Sequence, residues 1–317
     1  MKNIWLDGIM GLVVGDALGM PVQFVDRNEL KKNPVDKMVG YGTYHMPPGT
    51  WSDDSSMALA TLASIKEKGN IDYTDIMERF ERWLLNGEYT PFGKAFDVGQ
   101  TCLMAITKYA KEKNYHTCGR TGERANGNGA LMRIMPVCLY AYEKVKAGNW
   151  TVDEALERVH QVSALTHNHL RSKMACGIYF FMICNVLDGN GSLTERLQKG
   201  IDDAVEYYHR DLTNYLELSR YTRLFQLEEF AEFEEDEISS SGYVVDSLEA
   251  AVWSLITTNS LEAALLCAVN LGDDADTVGA IAGGLAGLYY GYENVPEEWK
   301  EAIVKGEEIE KECSIFF

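Results

Sequence analysis

The chain has 317 residues, 46% hydrophobic and 24% charged, the balance of a folded protein with a sizeable core rather than of a disordered segment. Its 48 acidic residues against 29 basic ones give a net charge of −19, which argues against any broad electrostatic grip on nucleic acid or anionic lipid, since both need clustered Lys and Arg. No apolar run is expected to reach the roughly 18 residues of a membrane span, and seven cysteines without paired spacing read as free thiols of a cytoplasmic protein.

The opening "MKNIWLDGIMGLVVGDALGM" is apolar but interrupted by Asp7 and Asp16 and lacks a small-residue cleavage site, so it is a poor signal peptide. "WSDDSSMALA" then places Asp53 and Asp54 at the head of a stretch that reads as a buried helix. "DIMERFERWLL" carries Ile76, Met77, Phe80, Trp83 and Leu84 at helical spacing. "NGNGALMR" sets Gly127 and Gly129 around Asn128, immediately before an expected apolar helix, where backbone N–H groups can cradle phosphate without Lys or Arg. In "TVDEALERVHQVSAL" Val152, Ala155, Leu156, Val159 and Val162 fall on one apolar face, and Thr151 with Glu154 forms a capping box. "THNH" offers His167, a candidate ligand contact, and His169, better read as a satisfied helix-start residue.

The acidic run "LEEFAEFEEDEISSSG" reads as a solvated helix running into a loop, with little claim to be a metal site. After it, "SSSGYVVD" repeats the glycine-before-helix geometry at Gly242, and Tyr243 can stack on a base or ribose. The last long element, "DTVGAIAGGLAGLYYG", spaces Gly279, Gly283 and Gly287 four apart, although a glycine inside a helix costs about 1 kcal/mol relative to Ala. Close approach of a neighbouring helix offsets that cost, so this is expected to be a central helix. Strand-type alternation is nearly absent. The expected fold is all-α, in one domain over residues 1–317, with a dozen or more helices.

Two acid clusters thus stand at the starts of buried helices: Ser52, Asp53 and Asp54, and Asp273, Asp274, Asp276 and Thr277. Capping explains one such cluster. If the two converge, however, their carboxylates need cations, and an all-oxygen set selects Mg²⁺ or Mn²⁺ over Zn²⁺.

"GLVVGDALGMPVQF", "WSDDSSMALA", "GNGALMRIMPV", "THNH" and "NLGDDADTVGAIAGGLAGLYYG" occur in the order and spacing of the ADP-ribosylglycohydrolase family, which the chain resembles over nearly its whole length. The resemblance implies a compact orthogonal helical bundle, two Mg²⁺ or Mn²⁺ ions, and hydrolysis of the bond joining ADP-ribose to an acceptor on a protein or small conjugate. It implies Ser52, Asp53, Asp54, Asp274, Asp276 and Thr277 as metal ligands, and Asp53, Asp54, Asp276 and Asp97 as catalytic acids. Gln23, Asn128, Gly129, His167, Gly242 and Tyr243 would contact substrate. Asp273 stands where the family more often has Gly and is left as a cap or neighbour of the ligands. One departure is Gln23, where the family often has Glu: Gln hydrogen-bonds but cannot act as a base. Asp97 can pair with a guanidinium and favours an arginine acceptor, with serine and nucleic-acid adducts open. The alternatives are a non-catalytic ADP-ribose-binding or structural member of the fold, or a metallohydrolase of another nucleotide-like substrate.

Overall fold

The computed structural model describes residues 3–314. Among them are sixteen α-helices and seven short 3₁₀ turns, and no strand; isolated bridges join Arg120 to His167 and Gly127 to Tyr243. The all-α expectation holds.

The centre is a pair of helices that are apolar on every side, as helices buried all round must be. The first, Ile4–Gly19, starts at Asn3, whose side chain accepts from the N–H groups of Trp5 and Leu6. The second, Ala275–Tyr290, is the glycine-striped one, and only its last two residues are not buried. The stripe has a partner stripe on the first helix. A Cβ on Gly11 would lie 2.2 Å from the Gly283 oxygen, and one on Gly15 would lie 1.9 Å from the Gly279 oxygen. The two backbones therefore touch, and neither helix has room for a methyl group. Gly15→Ala is expected to cost about 3 kcal/mol or more, because the obstacle is backbone rather than a mobile side chain; chemical denaturation with an unchanged midpoint would refute this.

The same contact continues to Gly19, where a Cβ would meet the Ala275 oxygen at 2.4 Å and the Asp276 Cα at 2.5 Å. The end of the first helix, which carries Asp16, is thereby locked to the start of the second, which carries Asp274 and Asp276. Packing in the core thus fixes the relation between two functional ends.

Three expectations need correction. Two helical stretches, Ile4–Val22 and Leu170–Asp188, are long and apolar enough to cross a membrane, yet 89% and 72% of their windows are buried inside the protein, as core helices are. Segment 227–242 is not one solvated helix: it forms the four-residue helix Leu227–Phe230 and a turn at Glu235–Glu237, because Leu227 and Phe230 bury into the core. Nor does a helix follow Gly129 directly; a turn intervenes, with Met132 N–H donating to the Asn128 oxygen, and the helix Met135–Lys146 starts six residues later beside Pro136. All seven cysteines are free, with Cys184 and Cys267 only partly buried.

Candidate active site

The helix Asp53–Lys68 begins under the control of Asp16. That carboxylate accepts from the Ser52 N–H at 2.9 Å, the Ser55 N–H at 3.0 Å and the Ser55 hydroxyl at 2.5 Å. Capping is the task of Ser52, whose side chain accepts from the Asp54 N–H. Asp53 and Asp54 are therefore left free of that role. The second cluster behaves alike: Asp274 occupies the cap position of Ala275–Tyr290 without a side-chain cap bond. Its carboxylate instead accepts from Gln23 Nε2 at 3.3 Å and Asn128 Nδ2 at 2.6 Å.

Two loops complete the enclosure. Asn128 N–H donates to the Gly242 oxygen, and Val244 N–H to the Asn126 oxygen, so the two glycine-bearing segments pair with each other. Asp97 sits in a left-handed turn at φ 52°, and its Oδ1 accepts from the Tyr44 hydroxyl at 2.5 Å. The Tyr44 loop is in turn tied to the Gln23 segment through the Thr43 hydroxyl, which donates to the Gln23 oxygen at 2.6 Å.

Together these elements line a cavity of about 240 Å³ that includes Gln23, Asp53, Asp54, Asp97, Asn128 and Asp274, with Gly129, His167, Gly242 and Thr277 also on its wall. Ser52 and Asp276 stand directly behind it, both fully buried. A larger hollow of about 530 Å³ lies beside Trp51 and Lys305; its acids, Glu308 and Glu312, are exposed surface groups, so it lacks the convergent chemistry. At 240 Å³ the acidic cavity is smaller than the ~300–1,000 Å³ typical of enclosed ligands. A nucleotide-sized molecule must extend over its lip.

The carboxyls are strongly perturbed. Burial is the first cause for Asp53, Asp54 and Asp276, with repulsion from neighbouring acids second, and all three are held well above the usual carboxylate range. Burial pushes Asp16 up to about 6 against the pull of the Ser55 and Ser52 hydrogen bonds. It also raises Asp97, opposed by the Tyr44 hydroxyl. Asp97 and Asp276 lie close enough to hydrogen-bond only if one is protonated. Asp97 Oδ2, Asp276 Oδ2, Asp54 Oδ1 and Gln23 Oε1 are buried without a donor.

Such oxygens ask for protons or cations. Among the described residues no three His, Cys, Asp or Glu side chains stand together as a ready metal-binding group. The fit of a hard cation rests instead on the donor-less oxygens and on the all-oxygen chemistry of the surrounding side chains.

Of the six residues expected to contact substrate, Tyr243 is the one off the cavity wall. Its ring lies under the Arg171 guanidinium, 5.6 Å away, and Arg171 is itself paired with Glu123 and Glu217, each at 2.7 Å. His169 caps the helix Leu170–Asp188 through Nδ1, as expected of it. Asp273 is exposed and acts through its backbone, exchanging hydrogen bonds with Phe24 and Val25. Sequence reading missed Asp16, Tyr44 and Phe24. Phe24 lines the cavity lip, is 64% exposed and holds a φ of 64°, and an apolar side chain followed by Val25 gave no sign of that position.

An all-helical chain that turns carboxylates from several elements onto one cavity has the make-up of a hydrolase. The chain belongs to the ADP-ribosylglycohydrolase family, whose model matches residues 5–316, and it is a glycohydrolase. It is 33% identical to the ADP-ribosylarginine hydrolase Tri1 of Serratia proteamaculans, over 95% of this chain and 75% of the relative. It is 32% identical to the ADP-ribosyl-[dinitrogen reductase] glycohydrolase of Rhodospirillum rubrum, over 93% of this chain and 88% of the relative. A solved structure titled "ADP-ribosylglycohydrolase-related protein complex" superposes with a TM-score of 0.77 at 31% identity, covering 98% of this chain and 95% of that one.

Proposed function

We propose that the protein hydrolyses the N-glycosidic bond between ADP-ribose and an arginine side chain, on a protein or a small conjugate, with the help of two divalent cations. The observation that carries this reading is the convergence of Asp53, Asp54, Asp97 and Asp274 on one cavity, with buried carboxylate oxygens that lack any donor. The names of the bacterial relatives, which specify ADP-ribosylarginine and ADP-ribosyl-dinitrogen reductase, support the substrate class.

Ser52, Asp53, Asp54, Asp274, Asp276 and Thr277 would hold the ions, Mg²⁺ or Mn²⁺, through oxygen alone. When bound, the cations would neutralise the clustered acids, orient the hydroxyls of the distal ribose and make a neighbouring water more acidic. Asp97, anchored by Tyr44 through one oxygen and lining the cavity, pairs with the guanidinium of the acceptor. Asp53 faces the cavity and is the carboxylate placed to act as the base. It takes the proton of the attacking water as oxygen bonds to the anomeric carbon and the carbon–nitrogen bond breaks. That proton then passes to the departing nitrogen, leaving free ADP-ribose and unmodified arginine. Gln23 cannot serve as the base; its amide donates to Asp274 and so orients that acid. Gln23 is also what favours the second reading, ADP-ribose binding without turnover.

A panel of defined conjugates separates these readings. ADP-ribosyl-arginine should release ADP-ribose fastest, ahead of serine and nucleic-acid adducts; a serine preference would reassign the acceptor, and no release from any conjugate would leave a binding protein.

The glycine wall can be tested apart from the acids. A Cβ on Gly129 would stand 3.0 Å from both Cys102 Sγ and His167 Cε1, so a valine there must push against two side chains of the cavity wall. Gly129→Val should weaken ADP-ribose binding at least tenfold in an equilibrium titration while leaving stabilisation by Mg²⁺ intact. Unchanged affinity would remove this turn from the site.

A further inference from the structure

Arg133 is fully buried in a protein of net charge −19, yet among the described residues no carboxylate pairs with it. Its guanidinium lies over the Phe80 ring, 4.8 Å from the centroid, and its Nε and Nη1 have no hydrogen-bond partner. Only Nη2 is engaged, donating to the Val162 oxygen at 3.2 Å and to the Thr166 hydroxyl at 2.8 Å. Keeping an ion there is costly, and an Arg cannot shed its proton to escape the cost. The one polar chain leaving it leads to the cavity: Thr166 Oγ1 lies 2.8 Å from His167 Nδ1, and His167 is on the cavity wall.

The protons along this chain follow from bookkeeping of donors. A guanidinium only donates, so Thr166 Oγ1 must accept from Arg133 and has one proton of its own to give. The acceptors within its reach are His167 Nδ1 and the sulfur of Cys102, and a ring nitrogen is much the better acceptor of the two. Given that proton, Nδ1 is an acceptor, and the ring's own hydrogen must sit on Nε2. Nε2 faces the glycine wall, where a Cβ on Gly127 would be 3.6 Å from it. The backbone that carries the ring is fixed, because the His167 N–H donates to the Ser163 oxygen and the Ser163 hydroxyl to the His167 oxygen, and the ring itself is held between Thr166 Oγ1 and the glycine wall.

We infer that Arg133 and Thr166 are positioning residues that lock His167 as the Nε2–H tautomer, presenting a neutral hydrogen-bond donor to an acceptor oxygen of the bound ligand. Within the proposed function, on which this ligand role rests, the diphosphate of ADP-ribose is the group richest in such oxygens. Burial and the Arg133 charge press the imidazole pKa down to about 3, so the ring stays neutral and the tautomer, not protonation, decides whether it donates.

The test is the ¹⁵N spectrum of ring-labelled histidine in the intact protein, with His167 assigned by its loss in His167→Gln, alongside ADP-ribose titrations. Wild type should show a neutral Nε2–H ring at pH 7. Thr166→Val should shift the ring toward the other tautomer and weaken ADP-ribose about tenfold, the scale of one lost hydrogen bond, and Thr166→Ser should restore both. A wild-type Nδ1–H or charged ring would overturn the relay without any variant having to fold. A tautomer or an affinity that Thr166→Val leaves unchanged would overturn it too. If wild type shows the locked ring but binds no ADP-ribose, the relay stands and the ligand assignment is what fails.

Discussion

Asp276→Asn should lower hydrolysis of an ADP-ribosyl conjugate by orders of magnitude while leaving the metal-free protein at least as stable as its parent. Asp276 is fully buried in the first turn of the glycine-striped helix, with Oδ1 taken by the Thr277 N–H at 2.9 Å and Oδ2 without a donor. A cap would be nearly indifferent to Asn, which caps almost as well as Asp. A ligand would not, since the substitution removes a charged oxygen from a site that depends on every carboxylate. The stability effect follows from the raised pKa of this acid, caused first by burial and then by the Asp54 and Asp274 charges. In the metal-free protein the group must either ionise in an unfavourable place or keep a proton above its ordinary range. Asn avoids both. The paired measurement is the initial rate of ADP-ribose release and the melting temperature with and without Mg²⁺. Near-normal turnover with an unchanged metal-induced shift would reduce Asp276 to a helix-start residue.

Asp16→Asn should be damaging in both readouts, although Asp16 is 0% exposed and is not on the cavity wall. Its two oxygens accept from two N–H groups and a hydroxyl at the turn that presents Asp53 and Asp54. An amide can keep only one acceptor oxygen there, and its NH₂ would face a donor. An unsatisfied buried donor costs about 1–3 kcal/mol, and a displacement of about 1 Å at a catalytic group can cost 10²-fold in rate. The expected result is therefore a loss of about 2 kcal/mol in denaturant stability and a fall of about 100-fold in turnover. Retained turnover would show that the Ser52–Ser55 turn holds its shape without Asp16.

Asp16 also shows what could and could not be read from sequence. The acid clusters and the Gly279/Gly283/Gly287 stripe were legible because each breaks a local rule, carboxylates at a buried helix start and glycines inside a helix, and such breaks mark function or close packing. Asp16 breaks the same kind of rule, a carboxylate inside an apolar helix, but it counted only as a mark against a signal peptide. Its partners lie 36 and 39 residues away at Ser52 and Ser55, a distance at which local periodicity is silent. The partner stripe on the first helix was hidden for a similar reason: "GIMGLVVGDALG" has the spacing, but only the Gly279 and Gly283 oxygens make it necessary. The turn after Gly129 was misread as a helix because "ALMRIM" is apolar and helix-forming, while Pro136 and the pairing of Asn128 with Gly242 set the true start at Met135. Tyr44 could not be placed from its own neighbourhood, since its role exists only through Asp97.

The most direct test is release of ADP-ribose from ADP-ribosyl-arginine by protein exhaustively stripped of metal and then titrated with Mg²⁺ or Mn²⁺. Stripped protein should release nothing above the uncatalysed rate, and either ion should restore turnover in the parent but not in Asp276→Asn. Release that continues unchanged after stripping, or that returns only with Zn²⁺, would contradict a site in which oxygen-bound Mg²⁺ or Mn²⁺ completes the work of Asp53, Asp54, Asp274 and Asp276.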